Sequence, residues 1–250
     1  LIVVFLASLM WRPALIGVAM VAFVIAAGEF YTVLMQKGHR PLALFGFFGL
    51  VGASLGTVAW GVIAIPMAFA LTSLLILLFF AVVPGRVKPL LSYSITIAVA
   101  AWAGLGTFAF PIIESESYRT LVLAVVAAVA LMDIAAYFVG RTLGRNQLAP
   151  VVSPKKTWEG LVGGVVVALL IGALLHYFPP FELTSGLLLG AVVAVVAPLG
   201  DLAVSVMKRS LGVKDMGAIL PGHGGLVDRI DALLFVIPAA WALYTWLDLL

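Results

Sequence analysis

The stretch Leu42–Val83 contains 42 residues and no charged side chain. A helix crossing a bilayer needs about 20 apolar residues. The stretch is therefore too long for one span, and Gly61–Pro66 punctuates it near the middle, where two spans would meet. The other apolar runs are also continuous rather than alternating, which points to helices and not to the strands of a barrel. Composition agrees. The chain is 64% hydrophobic and 10% charged, against roughly 45–50% and about 25% for soluble domains. No water-soluble core absorbs that much apolar sequence, so the bilayer must be the solvent for most of it. The absence of cysteine excludes disulfides and thiol catalysis and removes the soft ligand of zinc and iron–sulfur sites.

These runs predict an all-α polytopic membrane protein with about nine transmembrane helices. The first, Leu1–Met10, reads as the end of a helix whose beginning lies outside the sequence. The others are expected near Ala14–Leu34, two within Leu42–Val83, then Leu90–Phe110, Thr120–Gly140, Leu161–Phe178, Ser185–Met207 and Ala232–Leu249. Alternating from a cytoplasmic N-terminus puts twelve Lys and Arg residues on the cytoplasmic side and leaves only Arg12 and Arg119 outside. Basic loops face the cytoplasm, so this asymmetry sets the topology and explains the positive net charge without nucleic acid as a partner. The expected location is the cell (inner) membrane, multi-pass, with the active-site cleft facing the cytoplasm. Gly52-x-x-x-Gly56 permits close helix packing, within the chain or between two copies in a homodimer.

Charge divides the chain. Residues 1–132 read as a transmembrane scaffold. Residues 133–250 read as a catalytic region with cytoplasmic loops 141–160 and 208–231, and residues 133–231 hold seven of the eleven acidic side chains. On a helix, Asp201, Ser205 and Lys208 fall within roughly 60° of one another. Asp201 lies about 12 Å deeper than Arg209. A carboxylate at that depth requires a polar cavity, a partner or a metal; a buried Asp–Lys pair between helices is the bland alternative. Lys214, Asp215, His223, Asp228, Arg229 and Asp231 then crowd into eighteen residues around Pro221-Gly222-His223-Gly224-Gly225. Glycines let backbone amides approach an anion. Asp228 and Asp231, three apart, share one helix face and suit a hard cation. Carboxylates among many cations are what a Mg²⁺–polyphosphate site requires.

Ser205-x-x-Lys208-Arg209, Lys214-Asp215 and Pro221-x-His223-Gly224-Gly225-x-x-Asp228-Arg229-x-Asp231 together resemble the signature of the phosphatidate cytidylyltransferase (CDP-diacylglycerol synthase) family. The likeness extends more weakly to Asp133–Arg141, to Ser153–Gly160 and to the pair Glu29-Phe30. It implies a nucleotidyltransferase that converts CTP and phosphatidic acid into CDP-diacylglycerol and pyrophosphate, with Mg²⁺ as cofactor and room for a second cation. By the same resemblance, Asp201, Asp228 and Lys208 are catalytic, and Asp201, Asp228 and Asp231 hold the metal. Ser205, Arg209, Lys214, His223 and Arg229 bind substrate, as do Lys155, Lys156 and Asp133. Rival readings are another CTP-dependent lipid enzyme, such as a polyprenol kinase or an ether-lipid cytidylyltransferase, and an ion-coupled transporter using Asp133 and Asp201.

DIAAYFVGR (133–141) and DLAVSVMKR (201–209) share an Asp two turns before a terminal Arg. They are expected to wall one cleft, with a metal or a lysine such as Lys208 between the two acids. The topology makes a prediction of its own. In this cysteine-free chain, Gly222→Cys should react with impermeant thiol reagents from the cytoplasmic side only; labelling from the opposite side alone would invert the topology.

Overall fold

The computed structural model describes residues 2–83, 88–217 and 224–250. The expected helical, multi-span class is what it shows. Among the described residues, seven helices are long and apolar enough to cross a membrane. The helices in chain order are α1 (Ile2–Ser8), α2 (Arg12–Gln36), α3 (Ala43–Trp60), α4 (Ala64–Val82), α5 (Pro89–Gly104), α6 (Ala109–Glu114), α7 (Tyr118–Leu143), α8 (Trp158–Leu174), α9 (Leu183–Ser210) and α10 (Val227–Trp246). The break inside the longest apolar run falls at Gly61, whose φ of 74° lies in the left-handed region that glycine reaches without strain. Pro66 then sits in the first turn of α4, where a missing N–H removes no helical bond. Of the nine expected spans, two are not among the seven. α1 has seven residues, and α10 carries Asp228, Arg229 and Asp231 in its opening turns.

The chain packs as two compact units, residues 1–113 with 215–229, and residues 114–214 with 230–250. In the first unit α2, α3 and α5 are tied by polar bonds in an apolar interior. The Tyr31 hydroxyl donates to the Thr96 carbonyl at 2.7 Å, and the Thr96 hydroxyl accepts from the Leu42 amide at 2.7 Å. The Phe30 and Trp102 rings meet with centroids 5.4 Å apart.

In the second unit small residues let the helices approach backbone to backbone. A Cβ added at Gly164 would meet Ala136 and Met132 of α7 at 3.2 Å, and one at Gly190 would lie 2.6 Å from the Ala168 carbonyl of α8. Further along α9 a Cβ at Gly200 would stand 2.8 Å from Phe235 of α10. The Tyr244 hydroxyl of α10 donates to the Leu121 carbonyl of α7 at 3.2 Å. α9 thus packs closely against both α8 and α10.

One element is absent from the sequence reading. Inside loop 141–160 a two-stranded antiparallel hairpin pairs β1 (Gln147–Ala149) with β2 (Ser153–Thr157), placing Gln147 opposite Thr157 and Ala149 opposite Ser153. Pro154, expected in a turn, lies in β2; with two strands both are edges, and an edge tolerates a residue without an N–H.

The α8–α9 contact leaves no room for a side chain. Gly190→Val should lower stability by about 1–3 kcal/mol through overpacking, read as a fall in melting temperature in detergent. An unchanged melting temperature would mean that the helices are not pressed together there.

Candidate active site

The site of the second unit is assembled around α9. Pro198 supplies no N–H, so the Ala194 carbonyl loses its ordinary helical donor one turn before Asp201. Lys156 of β2 reaches Asp201, its ammonium donating to the Asp201 Oδ2 atom in an ion pair whose side chains are about three-quarters buried. The Ser205 hydroxyl lies 3.4 Å from Asp201 Oδ1, a weak contact. One turn further along α9, Lys208 is 8% exposed and its Nζ stands 3.7 Å from Oδ2 of Asp231 on α10, also 8% exposed. Asp231 Oδ1 in turn accepts from the Ala232 amide at 2.8 Å. Asp133 of α7 lines the same cavity as Asp201. The cluster is therefore three carboxylates, from α7, α9 and α10, interleaved with two lysines. Buried charges need such partners because neither is solvated by water.

Lys156 points to Asp201 because the hairpin is anchored at its base. The Glu159 carboxylate accepts from the Arg145 amide at 3.1 Å, from the Asn146 amide at 3.3 Å and from the Asn146 side chain at 2.8 Å. Thr157 caps α8, its hydroxyl accepting from the Gly160 amide at 3.1 Å. Along β2, Lys155 is exposed and Lys156 half-buried. The Arg209 guanidinium donates to the carbonyls of Val152 and Val213 at 3.0 and 2.9 Å, tying the hairpin to the end of α9.

A cavity of about 740 Å³ opens beside this cluster. Asp133, Arg141, Lys155, Lys156 and Asp201 give it a charged wall, and Met132, Leu148, Leu161 and Pro198 an apolar one. A pocket of that lining suits a ligand with an anionic head and an apolar remainder.

The sequence profile of the cytidylyltransferase family matches residues 1–247. The chain belongs to the cytidylyltransferase family. Proteins named phosphatidate cytidylyltransferase from Staphylococcus haemolyticus (strain JCSC1435), Staphylococcus aureus (strain COL) and Staphylococcus epidermidis (strain ATCC 12228 / FDA PCI 1200) are each 41% identical to it over 140 residues, covering 55% of this chain and 54% of theirs. The chain thus spans about half the length of the curated relatives it matches.

Within this member of the family, the expected residues are distributed unevenly. Asp133 and Asp201 line one cavity, together with Lys155 and Lys156. The lysine that reaches Asp201 is Lys156 of the hairpin, not Lys208, which turns to Asp231. Lys214 is exposed just beyond α9. Asp228 and Arg229 belong to the other unit, where Asp228 Oδ2 accepts from the Met216 and Gly225 amides at 3.0 and 3.1 Å. His223 lies outside the described residues. Among the described residues no three of Asp, Glu and His stand where they could hold one metal ion between them. The anchoring roles of Glu159 and Thr157 were not read from the sequence, although a Thr followed by an acidic first turn is a helix-start signal.

If the Lys156–Asp201 pair is the keystone of the cluster, its two halves are energetically coupled. Lys156→Met should destabilise the protein by leaving Asp201 without its cation, and adding Asp201→Asn should recover part of the loss. The expected coupling is about 0.5–3 kcal/mol, measured as a double-mutant cycle of melting temperatures in detergent; strict additivity would show that the pair carries no net interaction.

Proposed function

We propose that this chain is a nucleotidyltransferase of phospholipid synthesis, joining CTP and phosphatidic acid to give CDP-diacylglycerol and pyrophosphate. The observation that carries the reading is the cavity of the second unit, with a charged wall beside an apolar one, in a chain of the cytidylyltransferase family. A phosphatidic acid head is a phosphate monoester, suited to the Lys155, Lys156 and Arg141 wall, while its acyl chains need hydrocarbon.

An oxygen of the lipid phosphate attacks the α-phosphorus of CTP. A new P–O bond forms, the bond from the α-phosphorus to the bridging oxygen of the β-phosphate breaks, and that oxygen leaves with the electron pair as pyrophosphate. The nucleophile is already anionic, so no strong general base is required. The work of the protein is to bring two polyanions into line and to compensate their charge. Lys155, Lys156 and Arg141 serve the phosphates, and Asp133 and Ser205 orient the groups around them. Lys208 keeps Asp231 in place, and Arg209, Lys214, His223 and Arg229 supply further positive charge and hydrogen bonds for the nucleotide.

The acids suit Mg²⁺ by their chemistry. They are hard oxygen donors, and in this structure Asp201 and Asp231 are each neutralised by an ammonium group, the charge balance that a divalent cation would take over. We assign Asp201, Asp228 and Asp231 to it as a set that the cation itself would draw together, since no three acids converge among the described residues. Bound there, Mg²⁺ would neutralise the triphosphate and make the α-phosphorus more electrophilic. In this reading residues 133–250 are the catalytic region, residues 1–132 the scaffold, and the site faces the cytoplasm of a cell that carries the protein in its inner membrane, as the distribution of Lys and Arg supports.

Purified protein incubated with labelled CTP, Mg²⁺ and phosphatidic acid should yield label in the lipid extract. Asp201→Asn and Asp228→Asn should each lower turnover about 10²-fold or more while still inserting and folding. No labelled lipid from the unaltered protein would remove the proposal, and near-normal turnover of either variant at saturating Mg²⁺ would remove that residue from the assignment.

A further inference from the structure

Glu29 lies in the middle of α2 and is only 5% exposed. Its Oε2 accepts from the Val227 amide at 2.9 Å, at the start of α10. Its Oε1 is buried with no hydrogen-bond partner among the described residues. A buried carboxylate oxygen left unsatisfied is destabilising, and such an atom calls for an explanation.

The surroundings supply one. Segments 215–217 and 224–227, which belong to the same unit as α2, meet on this carboxylate. A Cβ added at Gly225 would lie 2.6 Å from Glu29 Oε2 and 2.8 Å from the Gly217 amide nitrogen, and one at Gly217 would lie 2.7 Å from Glu29 Cδ. Both glycines are therefore pressed against Glu29 with no space for a side chain. The same two segments are gripped from the other side by Asp228, whose Oδ2 accepts from the Met216 and Gly225 amides. Gly224 between them takes φ 81°. Two carboxylates thus share one piece of backbone. Asp228 is bonded to amides whose position is set by what lies beneath them, and what lies beneath them is Glu29. The first amides of a helix also carry its positive end, which favours two carboxylates there.

We propose that Glu29 is a positioning residue for the transfer reaction: through the backbone of Gly217, Gly225 and Val227 it fixes the aim of the Asp228 carboxylate. The proposal rests on the assignment of Asp228 to Mg²⁺ made above. It gives the scaffold region a part in the chemistry, since α2 lies far from residue 228 in sequence.

The test uses the full chain in detergent with two readouts, hydrogen–deuterium exchange and the Mg²⁺ dependence of activity. In Glu29→Ala, exchange should rise not only at Val227 but across 215–217 and 224–226. Mg²⁺ alone should protect these segments in the unaltered protein and fail to do so in the variant. The Mg²⁺ concentration for half-maximal turnover should rise about 10–100-fold. Glu29→Gln, which keeps the shape and an acceptor for Val227, should restore both. Should Glu29→Ala fail to fold, Gly225→Ala crowds the same carboxylate without changing any charge and should give the same two shifts. Faster exchange confined to Val227, or an unchanged Mg²⁺ dependence in a folded variant, overturns the proposal. A protein that makes no CDP-lipid at all would remove the proposed reaction but leave the exchange result to decide whether Glu29 sets this backbone.

Discussion

The contact between Lys156 and Asp201 is the interaction on which the second unit depends. A carboxylate on a membrane-crossing helix is stable only beside a cation, a polar cavity or a metal. Asp201 has the first two, and each imposes conditions elsewhere. The lysine must come from outside the helix, so a hairpin is folded between α7 and α8 and pinned at its base by Glu159 and Thr157. α9 must also pack closely on its neighbours, and its glycines allow this by meeting the backbone of α8 and the Phe235 ring of α10.

The same logic recurs at the other acids with different partners. Asp231 is matched by Lys208, one turn along α9 from Ser205. Asp228 is matched by backbone amides, and Glu29 by one amide and two close-packed glycines. Ammonium groups and peptide dipoles are the two means of solvating an anion where water is scarce. A lysine can swing aside, whereas a backbone amide is fixed by the fold. The acids paired with lysines can therefore exchange partners when a cation or a phosphate arrives, whereas a carboxylate held by amides keeps a fixed aim.

The cavity joins these electrostatics to the lipid environment. Its charged wall comes from α7, β2 and α9, and its apolar wall from Met132 of α7, Leu148 of β1, Leu161 of α8 and Pro198 of α9. A single set of backbone elements thus offers an anionic head and an apolar tail adjacent surfaces, which suits chemistry on a phospholipid.

Much of this was legible in the sequence. Uninterrupted apolar runs require helices in a bilayer, because backbone amides there must be satisfied within the segment, and Gly61 marked the break between α3 and α4 for conformational reasons that are purely local. The charged half of the chain and the acids Asp133, Asp201, Asp228 and Asp231 were also evident, since a carboxylate amid apolar residues stands out wherever the chain goes. The partner of each acid was not evident. Helical spacing placed Lys208 on the face of Asp201, yet the ammonium that reaches Asp201 comes from Lys156, 45 residues earlier, and Lys208 goes to Asp231 on another helix. The hairpin escaped notice because two short edge strands leave no periodic apolar signal, and the partners of Glu29 because positions 217, 225 and 227 are brought to it only by folding. Periodicity along one element is local and can be read residue by residue. Contacts between elements depend on which helices pack together, and only the tertiary structure decides that.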